Sequence, residues 1–260
     1  MTTHCARTDH HCQRCEGPLP FDFSMAFQPI VNVATQRIIA HEALVRGVNG
    51  ESAYQILSQV SDTLLYRFDQ ACRVKAIELA AQLEIPSALS INFLPNAVYE
   101  PEACIQATLA ISKQVGWPAE RLVFEITETE SVTDRSHLRS IIDAYRQMGF
   151  TTALDDFGTG YANLDLLTEL RPDKLKIDRD LVMNCHRDTR RQILLKSVAD
   201  IASQLDIETV AEGIECREEA RWLHEEAGIV QHQGFYYARP AFEALPVVAD
   251  FSDTADILSD

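Results

Sequence analysis

Residues 25–45 read MAFQPIVNVATQRIIAHEALV. Two apolar, β-branched runs, 25–31 and 37–45, flank a short polar break from Asn32 to Gln36. Such runs bounded by turn residues are strand signals. A connection of about five residues is too short for a parallel crossover, which needs roughly a dozen, so the pair is predicted to be an antiparallel hairpin. Downstream the pattern changes. Further strands are predicted at 88–94 (ALSINFL), 122–128 (LVFEITE), 151–157 (TTALDDF), 174–178 (KLKID), 208–213 (ETVAEG) and 230–237 (VQHQGFYY). Helical spacing runs through most of the intervening stretches. In 65–83 it is carried by Leu65, Phe68, Ala71, Cys72, Ala76, Leu79 and Ala80, and in 188–204 by Ile193, Leu194, Val198, Ile201 and Ala202. A third helix is predicted over 134–147, with Asp134 and Ser136 as possible caps. Long helical connections between strands make right-handed parallel βα units. Eight strands in about 210 residues therefore predict an α/β fold, a modified (β/α)8 TIM-type barrel with an antiparallel first strand. The alternative is an open doubly wound sheet, but the chain lacks a Gly-rich phosphate loop after its first strand.

The whole chain has 260 residues, 46% of them hydrophobic, enough to bury a large core. It carries 23 basic and 39 acidic residues, a net charge of −16. That balance argues against gripping polymeric nucleic acid through an electrostatic surface. It leaves room for a small phosphate ligand shielded by metal ions. No apolar run approaches the ~18 residues of a membrane span, so no membrane association is expected. The opening residues MTTHCARTDHHCQRCEG lack the apolar region of a signal peptide, and a cytoplasmic location is expected. Of the seven cysteines, Cys72, Cys104, Cys185 and Cys216 are scattered singly, as reduced thiols are. Cys5, Cys12 and Cys15 crowd with His4, His10 and His11 in a short Cys/His-rich segment, 1–23. Its composition suits a small Zn2+ or redox site, or simply a tail with incidental thiols. The barrel is assigned to 24–250 and an acidic tail to 251–260.

Strands buried in a closed barrel should read almost wholly apolar. Here nearly every one carries a polar residue towards its C-terminal half: Glu42, Asn92, Glu125 and Glu128, Asp155 and Asp156, Lys176 and Asp178, Glu212 and Gln233. Arg46 and Glu215 follow two of the strands closely. A buried, unpaired carboxylate costs several kcal/mol. Five or more converging on one barrel mouth require cations. Oxygen-rich ligands point to Mg2+ or Mn2+. Successive strand residues face opposite sides, so Asp155 and Asp156 can share a site only if the strand ends and the backbone turns; Gly158 and Gly160 would permit that turn. The competing reading is a set of ordinary surface carboxylates paired with nearby Lys or Arg.

The segments HEALVRG (41–47), SINFLPN (90–96), FEITETE (124–130), LDDFGTGYANL (154–164), PDKLKIDRDLV (172–182), TVAEGIE (209–215) and QGFYYARP (233–240) resemble the EAL-domain cyclic di-GMP phosphodiesterases over about Ser24 to Pro246. The resemblance implies hydrolysis of cyclic di-GMP to linear pGpG with two Mg2+ or Mn2+ ions. It implies that Glu42, Asn92, Glu125 and Asp155 ligate the first metal. Asp155 would bridge to the second, which Asp156 would help to hold, and Glu212 would bind that metal or its water. Lys176 would contact the attacking water, with Gln233 near it, and can equally serve as a counter-charge. Arg46 would hold a substrate phosphate, and Glu128 would anchor the loop 154–164. Gln28, Asp178 and Phe235 are further substrate-binding candidates, although a strand aromatic such as Phe235 often belongs to the core. Ala162 and Asn163 stand where many members carry Ser-Ser. FSMAFQPIV and ESAYQILSQV resemble EAL domains joined to blue-light sensors, but without such a module no photoactivity is expected. A homodimer is expected by resemblance. Two other functions stay open: a silent cyclic di-GMP receptor or protein-binding module, and a phosphodiesterase for another substrate.

Overall fold

The structure, a computed structural model, describes residues 7–8, 11–12, 17–98, 100–127, 135–158 and 164–248. The predicted hairpin forms from β1 (Ser24–Asn32) and β2 (Arg37–Arg46), paired antiparallel from Ser24↔Arg46 to Asn32↔Arg37. Six further strands follow: β3 (Ala88–Phe93), β4 (Leu122–Thr127), β5 (Thr151–Phe157), β6 (Lys174–Ile177), β7 (Glu208–Ala211) and β8 (Gln231–His232). Strands β2 to β8 pair in parallel with their sequence neighbours, and β8 returns to pair antiparallel with β1 at Gln231↔Asn32 and His232↔Val31. The barrel is thus closed, and β1 runs against both of its neighbours. A short strand, β9 (Ala241–Phe242), covers the other end of β1 at Phe27 and Ala26.

The main crossover helices are α1 (Leu65–Gln82), α2 (Gln106–Val115), α3 (Arg135–Gln147), α4 (Leu164–Leu170), α5 (Thr189–Gln204) and α6 (Arg217–Glu225). The caps are local chemistry. Asp188 accepts from the amides of Arg190 and Arg191 at 2.9 and 3.3 Å, satisfying donors that the first turn of α5 leaves open. Predicted cap Ser136 instead lies inside α3, and Asp134 is outside the described residues.

Period-two alternation sorts the strand residues. Leu89, Ile91 and Phe93 of β3, Phe124 and Ile126 of β4, Leu154 and Phe157 of β5, and Leu175 and Ile177 of β6 belong to the apolar layer beneath the helices. An aromatic cluster of Phe93, Phe124, Tyr145 and Phe150, with ring centroids 4.9–5.9 Å apart, locks β3 and β4 to α3. The intervening residues face the barrel axis. At its N-terminal end Ile30, Ala40 and Val210 form a small second core. At the C-terminal end the inward positions are the polar ones.

Most strand bounds fall within two residues of expectation, but two features differ. The last strand is two residues long rather than spanning 230–237, because the chain turns at Gly234 to Tyr237. Strand β5 does not end at Asp155–Asp156. It continues to Phe157 through a bulge: Leu154 pairs with Leu175 and Phe157 with Ile177, so one residue is extra. Asp156 itself takes φ +58°, so the turn is made within the strand. Gly158, at φ +112°, turns next, while Gly160 lies outside the described residues.

Ahead of the barrel, Arg7↔Cys12 and Thr8↔His11 pair in a two-residue ladder. His4, Cys5, His10 and Cys15 lie outside the described residues, as do Glu128, Ala162, Asn163 and the tail 251–260. Phe21 and Phe23 pack against Phe68 of α1.

Candidate active site

The barrel mouth is built from one residue or two per strand. Parallel register sets Asn92 beside Glu125 and Thr127 beside Asp155, while the hairpin sets Gln28 beside Glu42. Lys176 rises from β6 into the centre. Its Nζ lies 2.7 Å from Glu212 Oε1, 2.8 Å from Glu125 Oε2, 3.1 Å from Asp155 Oδ1 and 3.3 Å from Glu42 Oε2. The Lys176 side chain is 2% exposed, and those of Glu42, Glu125 and Asp155 are no more than 8% exposed.

Amides and a hydroxyl complete the arrangement. Asn92 Nδ2 donates to Glu42 Oε1 at 2.8 Å, and Gln233 Nε2 donates to Glu42 Oε2 at 2.7 Å. The same Gln233 nitrogen lies 3.3 Å from Gln28 Oε1, while Gln28 Nε2 donates to the Ala238 carbonyl at 3.0 Å. Ser90 Oγ donates to Glu125 Oε1. These bonds fix the rotamers that aim the carboxylates at one point.

The electrostatics follow from one ammonium among several carboxylates. Burial by itself would depress the Lys176 ammonium, but Asp155, Glu125, Glu212 and Glu42 hold it well above its ordinary range. Burial and repulsion from Glu42 push the Glu125 carboxyl well up. Burial likewise raises Glu212 and Asp155. Burial opposes ionisation of Glu42 too, yet Lys176 and the donors Gln233 and Asn92 hold it below its ordinary value. Asp156 is pushed up to about 6, first by partial burial and then by Asp155 and Asp178. Such crowding marks a site short of positive charge.

The donor geometry fits divalent cations. One ligand oxygen each from Glu42, Glu125 and Asp155 lie within 4.8 Å of one another, and so do those of Asp155, Asp156 and Glu212. Asp155 belongs to both sets, as a bridging carboxylate must. Beside them a cavity of about 460 Å³ opens to solvent, lined by Gln28, Asp156, Lys176, Arg179, Glu212 and Phe235 among others.

Not every predicted residue joins this wall. Arg46 Nη1 donates to the carbonyl of its own neighbour Val45 at 2.7 Å and does not line the cavity. Asp178 caps the short helix Arg179–Val182, accepting from the Asp180 amide at 2.7 Å. Phe235 stands at the lip, 47% exposed rather than in the core, with the Arg239 guanidinium 4.1 Å above its ring. Sequence reasoning missed Arg179, Arg239 and Ser90. Arg179 lines the cavity and pairs with Glu215 at 2.9 Å. Its signal was a basic residue just beyond a ligand strand; Ser90 shared inward parity with Asn92.

Comparison with known proteins agrees with this geometry. The EAL domain family model matches residues 21–240. The blue light- and temperature-regulated antirepressor BluF of Escherichia coli is 32% identical over 244 residues, covering 93% of this chain and 60% of BluF. The probable cyclic di-GMP phosphodiesterase PdeI of E. coli is 30% identical, covering 83% of this chain and 28% of PdeI. The chain thus spans three fifths or less of these two curated relatives. Among solved structures, a standalone versatile EAL protein from Vibrio cholerae O395, in its c-di-GMP bound form, is 50% identical with a TM-score of 0.87, covering 90% of this chain and 99% of that one. The manganese/cy-diGMP complex of Klebsiella pneumoniae BlrP1 is 35% identical with a TM-score of 0.79, covering 89% of this chain and 60% of BlrP1. With strand order, carboxylate set and family model in agreement, this chain belongs to the EAL domain family.

Proposed function

We propose that this protein is a metal-dependent phosphodiesterase that hydrolyses cyclic di-GMP to linear pGpG, lowering the level of a bacterial second messenger. The observation that carries the reading is the sharing of Asp155 between two carboxylate sets around Lys176. The cyclic di-GMP complexes of the V. cholerae and K. pneumoniae proteins support it. Glu42, Asn92, Glu125 and Asp155 would hold one Mg2+ or Mn2+, and Asp155, Asp156 and Glu212 the other. Bound there, the ions would neutralise the phosphodiester and supply a water of lowered pKa.

The chain's own residues do the rest. Lys176 remains charged and donates hydrogen bonds, so it orients the attacking water and meets the charge growing on phosphate. It does not serve as the base. Gln233 and Asn92 keep Glu42 ionised and aimed. The water oxygen bonds to phosphorus, the bond to one 3′ oxygen breaks, and that oxygen leaves with a proton as a hydroxyl. Arg179 at the cavity wall suits the second phosphate, and Arg46 reaches it by turning away from the Val45 carbonyl. The Arg239–Phe235 stack at the lip offers a flat face to a guanine. By the family resemblance Glu128, which lies outside the described residues, would anchor the loop that follows Asp156. A homodimer through that face is part of the proposal, checked by light scattering.

The test is chromatography of purified protein with cyclic di-GMP and Mg2+ or Mn2+, beside Glu42→Ala. Product pGpG from the wild type alone supports the reading. No product with intact ligand binding makes the protein a receptor. Neither product nor binding points to a protein-binding role.

A further inference from the structure

A second cluster of metal-ligating side chains lies away from the carboxylate mouth. His186 belongs to the short 3-10 turn Cys185–Arg187 between β6 and α5, and Cys216 and Glu219 open α6 after β7. One donor atom from each of His186, Cys216 and Glu219 lies within 4.8 Å of the other two. The Glu219 carboxylate is explained by backbone contacts. It accepts from the amides of Asn184 at 2.7 Å and Glu215 at 2.9 Å. His186 is not explained. Both of its ring nitrogens are sealed from solvent, and neither has a hydrogen-bond partner. Leaving such polar atoms buried and unpaired is costly, so they indicate an absent partner.

The donor set suits a cation. An imidazole nitrogen, a thiolate and a carboxylate oxygen are the ligand types of four-coordinate Zn2+, and Mg2+ does not favour sulfur. Glu218, two residues beyond Cys216, adds a carboxylate near His186. The Cys216 sulfur accepts from the Glu219 amide and its thiol proton goes to the Glu218 carboxylate, so metal binding would displace that proton rather than a backbone contact. We propose that His186, Cys216 and Glu219 bind Zn2+, with solvent in the fourth position, and staple the loop after β6 to the loop after β7. Binding expels the proton of the Cys216 thiol, so uptake strengthens as pH rises. Cys216 lies four residues beyond Glu212, and Glu215 holds Arg179, so the staple secures two elements of the mouth.

The test uses the 260-residue chain, dialysed against chelator and titrated with Co2+. A thiolate ligand gives a charge-transfer band in the near ultraviolet, and a four-coordinate site gives intense visible bands. The oxygen ligands of the carboxylate mouth give no thiolate band. The N-terminal thiols are silenced first by Cys5→Ser, Cys12→Ser and Cys15→Ser together. In that background the thiolate band is expected, Zn2+ abolishes it at one equivalent, and Cys216→Ser removes it. His186→Ala, at a partly exposed position, weakens Co2+ binding by at least about tenfold and decides the matter should Cys216→Ser not fold. Absence of the band in the triple variant, its survival in Cys216→Ser, or unchanged affinity in His186→Ala overturns the proposal.

Discussion

Replacing Lys176 by Met tests the electrostatic account most directly. The change keeps an unbranched side chain of similar length and removes one positive charge. That charge lies 2.7–3.3 Å from four carboxylate oxygens and is buried, as are Glu42, Glu125 and Asp155. Removing one partner of a buried ion pair costs about 3–5 kcal/mol, because the remaining charge stays desolvated and uncompensated. Here several carboxylates are abandoned together, and they recover part of the loss by taking up protons. A metal-free destabilisation of about 3–5 kcal/mol corresponds to a fall in Tm of roughly 6–20 °C near this size. The loss should shrink as pH falls, because the carboxyls with raised pKa values, Glu125, Glu212 and Asp155, take up protons. Mn2+ should restore much of it, by supplying the missing positive charge. Turnover should not recover, since Mn2+ does not replace the donor held at the phosphate; losing one preorganised donor costs about 10²–10³-fold in kcat. Differential scanning fluorimetry in EDTA and in Mn2+, with chromatography of pGpG, reads both effects. A metal-free Tm within 2 °C of wild type (well under the roughly 6 °C floor above), or kcat within about tenfold with Mn2+, would refute the reasoning.

Three further outcomes are expected. Glu125, Glu212, Asp155 and Asp156 have raised pKa values, so the folded, metal-free site binds protons more tightly than the unfolded chain, and its stability contribution falls as pH rises through those values. Protons and metal compete there, so the Tm rise on adding Mn2+ should be larger at pH 8 than at pH 5.5; equal rises would contradict the shifts. Asp69→Asn leaves the fully buried Arg73 without its carboxylate and weakens the 3.0 Å bond from the Leu94 amide, just past Asn92. It should cost about 3–5 kcal/mol in urea unfolding. In Gly234→Ala the new Cβ would lie 2.1 Å from the Ile214 carbonyl oxygen and 2.3 Å from its nitrogen. Backbone cannot yield as a side chain can, so about 2–3 kcal/mol of stability and most of the activity should be lost together, measured by urea melts and pGpG release.

Much of this molecule is legible in one dimension. The five-residue break between 25–31 and 37–45 fixes an antiparallel hairpin, because chain length is a local property. Apolar alternation marks which strand residues face the helices, and the polar exceptions Glu42, Asn92, Glu125, Asp155 and Lys176 are visible because a barrel interior has no other reason to hold them. Caps are less legible: Ser136, expected to cap, lies inside α3, while Asp188, not read as a cap, caps α5. What escaped the sequence are features with partners far along the chain. Arg179 looked like any surface arginine until Glu215, 36 residues away, was brought beside it.

The sequence by itself determined the order of strands and helices, the reversed first strand and the identity of the carboxylate set. Those follow from connection length, period and residue type, which are written along the chain. Tertiary structure alone decided how Asp155 and Asp156 face one site, since the bulge against β6 that turns Asp156 to φ +58° is a register between strands. It alone brought His186 to Cys216 and Glu219, and it alone put one ammonium against four carboxylates. Distances between residues remote in sequence arise only when a closed sheet fixes the relative height of its strands, and electrostatic coupling depends on those distances and on the burial that closure creates.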